Sequence, residues 1–164
     1  MNLQEYMSAV LAPQRPQQYE RILMAGMNWT VVPDMGVGIH MNPTFIGKID
    51  NNVGINDINC YVAAIKAELM RRYAGGLIGM TLKTGIAVVA SENEIPEATK
   101  LLVSQHKFGS AWSGIFVLPV LVDLSREDVT TLKRPGFLWH FPVKRNILFA
   151  RERFTLEGRL ASNS

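Results

Sequence analysis

Between Phe108 and Val122 the chain runs for 15 residues without a charged side chain, and Pro119 interrupts the run. A helix crossing a bilayer needs about 20 apolar residues, so this run belongs inside a folded protein. Residues 114–124 read as a long apolar strand. Pro119 lacks the N–H that a ladder uses and puts part of that strand at an edge or a bulge.

Elements of both kinds surround it. Leu3, Tyr6, Met7, Val10 and Leu11 recur at helical spacing and predict a helix over residues 2–12. A connector rich in Pro and Gln follows at 12–18. Residues 21–32 read as one buried strand closed by Pro33 and Asp34, with 35–41 pairing back onto it and 43–57 as loop. A helix over 57–73 stops at Gly75 and Gly76. Residues 77–90 read as two strands around a Lys83-Thr84-Gly85 turn. A second amphipathic helix covers 94–107. Ser125 with Asp128 three residues on has the form of a capping box before a short helix. Residues 137–156 read as a basic hairpin turning at Lys144-Arg145-Asn146.

Hairpins mixed irregularly with helices imply an α+β fold: one compact domain over 1–164, with a mainly antiparallel sheet and two or three packed helices, the central one at about 57–73. At 164 residues, 48% hydrophobic and 19% charged, the chain has the length and composition of a single globular domain and not of a disordered segment. The first 14 residues carry Glu5 and no basic residue ahead of their apolar stretch, so they do not read as a secretory signal. A lone cysteine makes no internal disulfide, which fits a soluble protein of a reducing compartment, the cytoplasm.

That cysteine, Cys60, is the first candidate for chemistry. In the 57–73 helix, Ile58, Val62, Ile65 and Leu69 form one stripe, while Cys60, Ala63, Ala64 and Ala67 lie opposite, a cross-section suited to packing on both sides. Near a helix N-terminus the dipole favours a thiolate. Over about ten residues this arrangement is similar to the start of the catalytic helix in papain-like hydrolases, with no further family motif. That resemblance implies a cysteine hydrolase or acyltransferase in which Cys60 is nucleophile; of the three histidines, His140 lies on an expected strand that would hold an imidazole rigidly as the base. The alternative is that Cys60 merely fills space beside alanines.

The second candidate is charge. Residues 1–99 hold 7 basic and 9 acidic side chains, whereas residues 100–164 hold 10 basic and 5 acidic. Lys144, Arg145, Arg151 and Arg153 are interleaved with Trp139, Phe141, Phe149 and Phe154. On a strand, Arg151 and Arg153 would share a face. Such a surface suits an acidic protein partner or, less well at this modest net charge, a nucleic acid. The N-terminal helix is a further docking element or a part of the core. The histidines His40, His106 and His140 are scattered, so no metal site is expected, and no motif implies a cofactor. Association with a partner or with itself, away from any membrane, is the reading that needs no unseen catalytic constellation; the cysteine enzyme is its rival.

Overall fold

A computed structural model describes residues 2–11, 19–33, 43–49, 53–73, 83–105, 109–110, 115–133 and 140–155. In chain order they form helix α1 (Leu3–Leu11), strands β1 (Glu20–Met24), β2 (Met27–Val32) and β3 (Thr44–Ile49), helix α2 (Ile55–Tyr73), strand β4 (Lys83–Ser91), helix α3 (Glu97–Gln105), strands β5 (Gly109–Ser110), β6 (Ile115–Asp123) and β7 (Asp128–Thr131), and helix α4 (His140–Phe154).

The apolar run becomes β6, and every one of its residues is buried. Side chains alternate across a strand, so Phe116, Leu118, Val120 and Val122 enter one core and Ile115, Val117 and Leu121 another. A strand apolar on both faces needs cover on both. On one face, α2 supplies Ile58, Ile65 and Leu69 and α3 supplies Val103. On the other, α1 supplies Leu3, Tyr6 and Val10, and α4 supplies Val143, Ile147, Ala150 and Phe154.

The sheet order is β1-β2-β3-β4-β6-β5, with β7 also on β6. The fold is α+β, as expected, and its sheet is mixed. Four pairings are antiparallel, while the central strands β3, β4 and β6 are parallel. Parallel neighbours need crossover connections, which α2 and α3 provide. Both crossovers step the same way across the sheet, so a common hand places both helices on one face.

Several local expectations are corrected. Residues 21–32 are a hairpin and not one strand: Ala25 and Gly26 have φ of 50° and 73°, two left-handed residues that reverse the chain between β1 and β2. The 43–57 loop contains β3 and the start of α2. Lys83-Thr84-Gly85 is no turn but the opening of β4. A Cβ on Gly85 would come within 2.7 Å of Leu69 Cδ1, so the glycine lets α2 approach the sheet. Ser125 caps no helix. Its hydroxyl donates to Asp123 Oδ1 at 2.6 Å in the turn between β6 and β7, where Glu127 has φ of 54°. Pro119 lies where the far side of β6 passes from β5, paired at 115–116, to β7, paired from Val120. The expected strands at 35–41 and 77–82, the connector and the Gly75-Gly76 stop lie outside the described residues.

The largest correction concerns the C-terminal hairpin, which is the helix α4. Val143, Ile147, Ala150 and Phe154 recur at i, i+4, i+7 and i+11, the helical period, and all four are buried. The alternation around Arg151 spans too few residues to compete.

Helix α2 is also packed on one side only. Ile58, Ile65 and Leu69 are buried, whereas Cys60, Ala63 and Ala67 are exposed and Met70 is 51% exposed. Leu69→Ala is therefore expected to cost about 2–5 kcal/mol, and Met70→Ala no more than about 0.5 kcal/mol. Urea denaturation of the two variants measures the difference.

Candidate functional site

Helix α4 begins at His140 with Pro142 in its first turn, where the missing N–H would have had no helical partner. Its apolar stripe faces β4, β6 and β7. At 100° per residue the opposite side presents Lys144, Arg145, Leu148, Arg151 and Glu152, and all five are exposed. Leu148 is 49% exposed. Residues three and four apart are helix-surface neighbours, so Lys144, Arg145, Arg151 and Glu152 are the four side chains that ring Leu148.

Arg153 does not belong to this face. It lies some 200° around the helix from Arg151, and its guanidinium donates to the Val10 carbonyl at 2.9 Å. Burial lowers its pKa from the ordinary arginine range. Its work is to hold α4 against α1. The strand-based pairing of Arg151 with Arg153 is thereby replaced by Arg151 with Lys144 and Arg145.

The helices that carry Cys60 and His140 are not brought together. They pack on opposite faces of the sheet, and the Cys60 thiol is exposed, directed away from the layer that separates them. Cys60 is also the sixth residue of α2, beyond the first turn whose free N–H groups carry the positive pole. That turn is occupied: the Asp57 carboxylate accepts from Gly54 N at 2.8 Å, the reach-back half of a capping box. The space-filling alternative fails too, because an exposed side chain fills no core. His40 and His106 lie outside the described residues.

Helix α1 is part of the core. Asn2 caps it, accepting from Glu5 N at 2.8 Å and donating its own N–H to Glu5 at 3.1 Å. Leu3, Tyr6 and Val10 are buried, and the Tyr6 hydroxyl donates to the Phe154 carbonyl at 3.3 Å.

A buried polar cluster escaped the sequence reading. At the C-terminal end of β6, Asp123 is buried and takes Lys100 Nζ at 2.9 Å. It also accepts from Ile95 N, Ser125 Oγ and Arg126 N. Lys100 reaches Asp128 at 3.1 Å and Glu97 at 3.6 Å. Burial penalises the Asp123 carboxylate, but hydrogen bonds from Ser125, Lys100 and Ile95 outweigh it and hold the pKa below the ordinary value. Burial likewise opposes the charge on Lys100, and its carboxylate partners still raise the pKa. With both oxygens of Asp123 engaged, the cluster works as a clamp between α3 and the β6–β7 hairpin. The available signals were Asp123 at the end of an uncharged strand and Lys100 at the centre of an amphipathic helix. Leu148 was missed for another reason: only the helical period shows it surrounded by cations.

Among the described residues, no group of three or more His, Cys, Asp or Glu side chains is arranged to hold a metal ion, and no helix is long and apolar enough to cross a membrane. Comparison of the chain with protein-family models, with curated proteins and with solved structures found no match.

The clamp has a stability signature. Removing one partner of a buried pair leaves an uncompensated charge, so Lys100→Met should cost about 3–5 kcal/mol. The double variant Lys100→Met/Asp123→Leu should cost less than the sum of the two single changes in urea denaturation. A lowered Asp123 pKa means that its contribution is present above the ordinary carboxylate pKa and is lost as pH falls through the folded value. The Lys100 contribution is present below its ordinary pKa and is lost as pH rises through its raised one. The excess stability of wild type over the double variant should therefore persist through neutral pH and fall on acidification.

Proposed function

We propose that this protein acts by association, taking an anionic partner on the outward face of α4. The observation that carries the reading is the division of that helix. Its apolar stripe is consumed by the core, while Lys144, Arg145 and Arg151 are exposed together on the other side. Cations grouped on a fixed helix attract and orient a partner of opposite charge, and they do so more strongly at low ionic strength.

Catalysis has less support. The helices that carry the cysteine and the histidine of the hydrolase reading pack on opposite faces of the sheet, which does not favour that reading. The buried pair Lys100–Asp123 has its hydrogen-bonding capacity engaged by its own neighbours. The exposed thiol of Cys60 fits a reducing compartment such as the cytoplasm, where the protein would work away from membranes.

The test is binding of two anionic polymers, poly-L-glutamate and a short DNA duplex, as a function of salt. The triple variant Lys144→Glu/Arg145→Glu/Arg151→Glu should bind at least about tenfold more weakly, since each reversal turns attraction into repulsion. All three positions are exposed, so its thermal midpoint should stay close to that of wild type. Binding unchanged in the triple variant would remove α4 as the contact surface.

A further inference from the structure

We infer that the occupant of the α4 face is an acidic helical segment of a partner protein that seats an apolar side chain on Leu148; this rests on α4 being the contact surface. The argument starts from the composition of the face. An apolar centre, 49% exposed, is enclosed by four charged neighbours, Lys144, Arg145, Arg151 and Glu152. An apolar centre within a polar rim is the anatomy of a protein–protein contact, in which rim groups exclude water from the anchor. Phosphate recognition has no use for the centre, because a backbone is held by cations and stacking planes. It is also opposed by Glu152, which puts a like charge into the ring.

Spacing favours a helix as the partner. From Lys144 to Arg151 the face extends about 10 Å along the axis at 1.5 Å per residue, with Leu148 near the middle. A partner helix with carboxylates at i and i+7 and an apolar residue at i+4 repeats those intervals, whereas three residues on one face of a strand spread over about 13 Å with equal gaps. A basic side chain beyond the second carboxylate would meet Glu152. The α4 side of such a contact is already ordered, since Val143, Ile147, Ala150 and Phe154 fix the helix in the core. Little conformational freedom remains to be lost there on binding.

The experiment titrates the full chain with four probes: a helical peptide carrying Glu, Leu and Glu at i, i+4 and i+7; the same peptide with Ala for Leu; poly-L-glutamate; and a short DNA duplex. The Leu peptide is expected to bind tightest. Leu148→Ala should weaken it about fivefold or more and leave poly-L-glutamate unaffected, with an unchanged thermal midpoint as the folding control. Glu152→Gln should strengthen the duplex relative to the Leu peptide. Duplex binding as tight as that of the Leu peptide, indifferent to Leu148→Ala yet abolished by the triple charge reversal, would overturn the inference and leave α4 as an anion-binding surface. Binding of no probe, or binding untouched by the triple reversal, would remove the contact surface itself and this inference with it.

Discussion

The structure depends on β6 being apolar on both faces. Phe116, Leu118, Val120 and Val122 cannot be satisfied by the layer that covers Ile115, Val117 and Leu121. A one-sided α/β arrangement, in which helices cover one face and water the other, would expose one of these rows. Each apolar side chain left outside would forfeit about 1.5–3 kcal/mol. The chain therefore needs helices on both sides. The parallel centre then follows, because α2 and α3 are inserted between strands that run the same way, and α1 and α4 close the opposite face.

This layering determines what the chain can do. The helices that carry Cys60 and His140, α2 and α4, pack on opposite faces of the sheet. Layering also sorts the charges. Lys100 and Asp123, caught where α3 meets the end of β6, neutralise each other and act as structure. Arg153, caught between α4 and α1, is given to a carbonyl. Lys144, Arg145 and Arg151 project from the outside of the last layer, where the fold makes no demand on them.

Legibility in the sequence followed the strength of the local period. Helix α2 and the apolar strand were readable because many residues repeat one pattern, and α1 because five apolar positions fall on one face. The 21–32 hairpin was hidden because Ala25-Gly26 is a weak turn signal, and β3 because six residues between a proline and an Asn/Asp-rich stretch resemble loop. Helix α4 is hidden because Lys144-Arg145-Asn146 between two apolar stretches resembles a hairpin turn, whereas the helical stripe shows only over the longer span from Val143 to Phe154. The candidate site depends on the same period. Three of the four cations named from sequence do lie on one exposed face, but Arg153 does not, and Leu148 at its centre is visible only once the period is 3.6.

The same division explains why α4 can carry a binding surface without weakening the fold. Its attachment comes from Val143, Ile147, Ala150 and Phe154, which are buried whatever lies on the other side. A discordant residue on the inner side is Asn146, buried with a side-chain N–H group that finds no partner among the described residues. An unsatisfied buried donor costs about 1–3 kcal/mol. That is comparable to what one apolar side chain of the stripe contributes, so the stripe as a whole still holds the helix. The outward residues enter neither side of this balance. Charge on the outer face of α4 can therefore be tuned to a partner while the inner face continues to answer to β6, and a surface independent of the core in this way is where a fold of this kind can acquire specificity.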